Sequence, residues 1–161
     1  MQKILITGRN SYIGNSFAHY VTKTEDADDF QVDCISLRVD PWEETSWADY
    51  DVILHVAGIS HVDTKGATQD VQKKYYAVNR DLTLQVARKA KRDGVKQFVF
   101  LSSMIVFGNT GEITEQTSPS PANFYGDSKL QAEEGLLAMA DQEFMVTIVR
   151  PPFVYGRDPV G

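Results

Sequence analysis

Short apolar runs alternate with longer stretches of amphipathic spacing along the chain. The runs fall at residues 3–7, 31–37, 52–56, 97–102 and 145–149 and are rich in Val, Ile, Leu or Phe. Apolar residues on both faces of such a run predict a strand of a parallel sheet covered on both sides. Helical spacing spans residues 12–24, about 69–92 and about 124–140. In the second of these, Tyr75, Asn79, Leu82, Val86 and Ala90 share a face, and Gly94 follows as a C-terminal stop. The alternation predicts an α/β fold, a doubly wound parallel sheet in three α/β/α layers with right-handed connections. Residues 40–50 are polar apart from two tryptophans and contain Pro41. That stretch is short for a strand–helix crossover, so one element is expected to shrink to a loop there. Residues 108–123, with Pro119 and Pro121, read as a loop leading into the last helix.

The chain has 161 residues, enough for one domain with a real core, and its composition is ordinary for a globular protein. A net charge of -6 argues against a nucleic-acid binder or a protein of anionic membrane surfaces. Cys34 is the sole cysteine, so no internal disulfide forms, and its apolar surroundings suit a buried small hydrophobe. Met1-Gln2-Lys3 runs straight into the first strand without a leader pattern, and no apolar run approaches the roughly 20 residues of a membrane span. A cytoplasmic location is expected, and no metal site.

Two fragments concentrate the candidate chemistry. Ser102-Ser103-Met104-Ile105-Val106-Phe107-Gly108 ends a strand, and Tyr125-Gly126-Asp127-Ser128-Lys129 opens a helix. Tyr125 and Lys129 lie one turn apart on one helix face. An ammonium near a phenol favours the phenolate and is expected to lower its pKa. A serine hydroxyl upstream, Ser103, suits the oxygen that gains or loses the proton. Together the three suit proton transfer at a carbinol oxygen while a cofactor moves the hydride. At the other end, the first strand runs into Gly8-Arg9-Asn10-Ser11-Tyr12-Ile13-Gly14 and then a helix. Strand, glycine turn and helix is the setting for a dinucleotide pyrophosphate. Gly8 permits the tight turn, the helix N-terminus offers free N–H groups, and Gly14 lets the helix pack on the sheet.

These residues resemble the N-terminal portion of an extended short-chain dehydrogenase/reductase of the nucleotide-sugar epimerase/dehydratase type. The resemblance runs in order through Thr7-Gly8 with Gly14, His55-Val56-Ala57-Gly58, Asn79, Ser102-Ser103 with Val106-Phe107-Gly108, Tyr125 with Lys129, and Arg150-Pro151-Pro152 with Val154-Tyr155-Gly156. It implies a Rossmann-like domain over residues 1–161, cut before a C-terminal substrate subdomain. It also implies a cofactor, NAD or NADP, held by Gly8, Arg9, Asn10, Ser11, Tyr12, Ile13, Gly14, Arg38, His55, Val56, Ala57, Gly58, Asn79, Leu101, Tyr125, Lys129 and Pro151. Ser103, Tyr125 and Lys129 would be catalytic, with Ser103 on the substrate oxygen, Tyr125 as acid/base, and Lys129 on the nicotinamide ribose. His55 and Asn79 are equally consistent with purely structural roles. The implied substrate is a nucleotide sugar, and the implied assembly is a homodimer through the long helix and the Tyr–Lys helix.

Departures from the family pattern sharpen the expectation. Ser11 replaces the middle glycine of the phosphate turn. Arg38 stands just after the second strand, where an acid usually takes the ribose, and Arg9 follows the first glycine. Two arginines lean towards NADP, with Asp40 on the ribose as the alternative. Met104 and Ile105 occupy the places of the acidic pair of the 4,6-dehydratases, which disfavours dehydration. Phe153 replaces an asparagine found near the substrate diphosphate. Residues 156–161 read as an interrupted loop, so a longer parent protein is expected, with weak or no turnover in this chain alone. The leading reading is an epimerase working through a transient keto sugar. The alternatives are an NADPH-dependent keto-sugar reductase and a non-catalytic dinucleotide sensor.

Overall fold

The computed structural model, which describes residues 1–24, 27–60 and 66–156, is built on one five-stranded sheet in the order β2-β1-β3-β4-β5. The strands are β1 (Gln2–Thr7), β2 (Phe30–Ile35), β3 (Val52–His55), β4 (Gln97–Leu101) and β5 (Met145–Val149). All pairings are parallel. The helices are α1 (Tyr12–Val21), α2 (Gln69–Tyr75), α3 (Thr83–Arg92) and α4 (Phe124–Leu137). The topology is Rossmann-like, and the order reverses between β1 and β3. Connections from these neighbours leave on opposite faces, which opens a crevice at the carboxyl ends of the two strands.

One face carries the larger core. Leu5, Ile53, Phe98 and Phe100 pack there against Val86, Ala87 and Ala90 of α3 and Ala132 and Leu136 of α4. Trp42 and Trp47 join this core from the 40–50 stretch, which forms no helix or strand. Trp47 is anchored where its N–H meets the Asp93 carboxylate at 3.0 Å, and Lys89 lies over its ring at 4.9 Å. Two tryptophans thus fill the volume that a crossover helix would occupy. On the opposite face Phe17 and Ala18 of α1 cover Ile4, Ile6 and Val52. Cys34 packs beside them, and burial raises its thiol pKa. The cover extends to Val99 of β4 but not to β5, where Met145, Thr147 and Val149 are exposed, so the expected two-sided cover fails at that edge.

The long helix expected over residues 69–92 is interrupted. Between α2 and α3 the chain widens into a π-helix, Tyr76–Leu82, without leaving the helical direction. The wide turn turns Asn79 fully inward. Periodicity on its own cannot reveal such a change of pitch, because apolar spacing survives on either side.

Candidate functional site

The turn after β1 is shaped by close backbone approach. Gly8 has φ 116°, and a Cβ there would meet Val56 Cγ2 at 3.1 Å and the Ala57 nitrogen at 3.2 Å. The turn is tied to β2, since the Gly8 and Arg9 N–H groups both donate to the Ile35 carbonyl. A Cβ on Gly14 would press on Ile6 and Val56 at 3.0 and 3.1 Å, so this glycine seats α1 on the sheet. Ser11 is the N-cap of α1, its hydroxyl accepting from the Gly14 N–H at 3.3 Å. The side chain at the middle-glycine position therefore works for the helix, taking up the Gly14 N–H.

The two arginines expected to act together have different surroundings. The Arg9 guanidinium pairs with Asp40 at 2.7 Å and donates to the Cys34 carbonyl at 3.3 Å. The same Asp40 oxygen accepts the Ser36 N–H at 2.7 Å. Arg38 is exposed beside them. One carboxylate thus neutralises Arg9 at the end of β2.

At the end of β3, His55 is fully buried between two hydroxyls, Thr7 at 2.6 Å from Nδ1 and Thr83 at 3.0 Å from Nε2. Burial first, then the Lys129 charge, pushes its pKa down to about 3, so the ring is neutral. Asn79 accepts the Ile59 N–H at 2.9 Å and donates to the Ile59 carbonyl at 3.0 Å and to Ser128 at 3.2 Å. It clasps the loop after β3 to α4. Gly58 sits under this clasp, where a Cβ would meet Asn79 Oδ1 at 3.1 Å and Lys129 Nζ at 3.2 Å.

Ser103, Tyr125 and Lys129 converge from β4 and α4. Asn123 caps α4 by accepting the Gly126 N–H at 2.9 Å, which sets Tyr125 in the first turn and Lys129 in the second. Lys129 is buried, donates to the Leu101 carbonyl at 3.0 Å and lies 4.7 Å over the Phe100 ring. Burial pushes its pKa down to about 8, against a raising influence from Glu133. The Tyr125 pKa is raised, not lowered as the pairing with Lys129 led us to expect. Burial is the main cause, the neighbouring Tyr75 adds to it, and a hydrogen bond with Ser103 opposes it. The ammonium is committed to the Leu101 carbonyl, and no effect of it on the phenol is resolved.

These groups line one cavity of about 860 Å³. It runs from Gly8, Arg9, Asn10, Ser11, Tyr12 and Ile13, past Arg38, Val56, Ala57, Gly58 and Leu101, to Ser103, Tyr125, Lys129 and Pro151. Gly14, His55 and Asn79 stand behind its wall. Sequence reasoning missed Ser36, Leu37, Ile59, Ser60, Val78 and Leu82 of the lining. Val78 and Leu82 belong to the π-helix, whose altered pitch left no signal in the sequence. The interrupted-loop reading covers residues 156–161, of which all but Gly156 lie outside the described residues. Among the described residues, no group of three or more His, Cys, Asp or Glu is placed to hold a metal, and no helix is long and apolar enough to cross a membrane.

The cavity fits a dinucleotide on the structure's own terms. A glycine cradle that a Cβ would fill faces a capped helix N-terminus, and polar groups gather at the far end. The chain is 32% identical over 160 residues to the UDP-glucose 4-epimerase of Vibrio cholerae, covering 94% of this chain and 47% of that protein. The UDP-glucuronic acid 4-epimerase of Bacillus cereus, solved with NAD, superposes with a TM-score of 0.78 at 22% identity, covering 96% of this chain and 58% of that one. The UDP-Glc/GlcNAc 4-epimerase of Campylobacter jejuni superposes with a TM-score of 0.73 at 26% identity, covering 93% and 53%. The chain thus spans about half the length of these relatives. The family model of the NAD dependent epimerase/dehydratase family matches residues 4–160, and the chain belongs to that family.

Proposed function

We propose that this chain is the dinucleotide-binding part of an enzyme that inverts a ring carbinol of a nucleotide sugar. The observation that carries the reading is the meeting of Ser103, Tyr125 and Lys129 at one end of a cavity whose other end is the Gly8 turn. The residues at that turn would hold the pyrophosphate, and Lys129 and Leu101 would border the nicotinamide ribose. When bound, the nicotinamide would accept a hydride from the carbinol carbon and return it. Ser103 holds the sugar oxygen, and Tyr125, acting from its phenolate, takes the hydroxyl proton and later gives it back. Redox is then internal. Met104 and Ile105 border the same end without a carboxyl, which favours inversion over elimination of water.

The Arg9–Asp40 pair supports NAD over NADP, because Asp40 offsets the charge that a ribose 2′-phosphate would seek. A homodimer through α2, α3 and α4 belongs to the same proposal. Leu137 of α4 is 54% exposed, away from the core that takes Leu136, and a dimeric mass in solution would support it.

The deciding experiment incubates the intact gene product with NAD and UDP-hexoses and follows the sugar by NMR. Formation of the C4 isomer without net cofactor change, lost in Tyr125→Phe, is expected. Net oxidation of NADPH would point to the reductase. Dinucleotide binding with no turnover of any nucleotide sugar would point to the sensor.

A further inference from the structure

Glu133 is 1% exposed, and the chemistry proposed above makes no use of it. It lies one helical turn beyond Lys129 and two beyond Tyr125. Its carboxylate is fully occupied. Arg150 donates to it through Nε at 3.1 Å and through a terminal nitrogen at 2.5 Å, and the Ser102 hydroxyl also donates to it. Ser102 and Ser103 are adjacent at the end of β4, and Arg150 begins the segment after β5 that leads to Pro151. Arg150 also lies 5.0 Å over the ring of Phe107, in the 3₁₀ turn Met104–Phe107 that follows Ser103. Pairing continues past the strand ends, with the Met104 N–H donating to the Pro151 carbonyl at 3.1 Å.

We propose that Glu133 is a positioning residue for this site. Its clamped carboxylate fixes α4 against the ends of β4 and β5, and its charge is what lets Lys129 remain a cation while buried. Geometry supports both parts. α4 grips β4 twice in succession, through Lys129 on the Leu101 carbonyl and Glu133 on the Ser102 hydroxyl, so the Tyr125–Ser103 spacing follows from where Glu133 is held. The titratable groups facing Lys129 are Tyr125 and Glu133 on its own helix and His55 from β3. His55 is kept neutral and Tyr125 is protonated at neutral pH, so Glu133 supplies the compensating charge. Arg150 shares that charge from the β5 side.

The inference rests on the reading of Lys129 as a site residue, and its test needs neither cofactor nor turnover. Lysine ε-carbon NMR titrations would follow Lys129 in the wild-type chain, its signal assigned by its loss in Lys129→Met. Glu133→Gln keeps the shape and a hydrogen bond but removes the charge, and the Lys129 midpoint should fall by about one pH unit or more. Arg150→Met leaves Glu133 wholly to Lys129, and the midpoint should rise. The opposite signs separate an electrostatic role from loss of packing. Should Glu133→Gln fail to fold, Arg150→Met carries the test. An unchanged Lys129 midpoint in either folded variant overturns the proposal. Failure of the wild type to bind any dinucleotide would instead overturn the functional reading, and leave the Lys129 result standing.

Discussion

Lys129 drives its ammonium into the carbonyl of Leu101 at 3.0 Å, beneath a glycine that leaves it room. The bond joins the helix bearing the phenol to the strand bearing Ser103, and it places a buried cation where stability would not ask for one.

That cation has a measurable cost. Its pKa is pushed from 10.5 down to about 8, so the unfolded chain binds more protons than the folded one between those values. Stability therefore rises with pH across that window, and the cost is fully present below pH 8. It is on the order of 3 kcal/mol, offset in part by the bond to Leu101, worth about 1 kcal/mol. Lys129→Met should melt higher than wild type at pH 7, with the advantage fading towards pH 10.5. Equal destabilisation at both pH values would refute this account.

His55 should dominate the acid limb. Its pKa of about 3 in the folded chain, against an ordinary 6.5, means that only the unfolded chain takes up a proton between those values. Stability contributed by the neutral ring is complete above pH 6.5 and falls by about 1.4 kcal/mol per unit as pH drops towards 3. His55→Gln should be less stable at pH 7 because the Thr7 and Thr83 hydroxyls lose their shaped partner. Its urea-unfolding free energy should also depend less steeply on pH between 6.5 and 4. Parallel slopes would show that the ring is not the sensitive group.

Cofactor choice should turn on Asp40. Freed of that carboxylate, Arg9 would join Arg38 in facing a 2′-phosphate. Asp40→Asn is expected to tighten NADPH binding roughly tenfold, about 1.4 kcal/mol, with little change for NADH. Fluorescence titration of wild type and variant with both cofactors measures the ratio. A ratio unmoved by the substitution would place the discrimination elsewhere.

A side chain at Gly58 should push its neighbours aside by a few tenths of an ångström. A methyl there would crowd Asn79 and Lys129 at once. Gly58→Ala is expected to weaken dinucleotide binding by roughly tenfold, because the Lys129 position must shift. Gly111→Ala, where a Cβ meets open space, is the control and should bind like wild type. Matching affinities for the two variants would contradict the crowding argument.

The sequence already determined the order of strands and helices, the glycine turn and the Tyr125–Lys129 face. These are local properties, fixed by apolar spacing, backbone freedom and helical period, and each is carried by residues adjacent in the chain. It also indicated that residues 40–50 lacked room for a crossover, though not that Trp42 and Trp47 would fill the core there. Only the tertiary structure decided what the charged and polar groups do. Whether Arg9 faces a phosphate or Asp40, whether Lys129 bears on a phenol or on the Leu101 carbonyl, and whether His55 and Asn79 line the cavity or stand behind it all depend on partners brought together from distant segments. Their pKa values follow burial and distance, which are set by the packing of α4 and the π-helix on the sheet, and no local pattern records either.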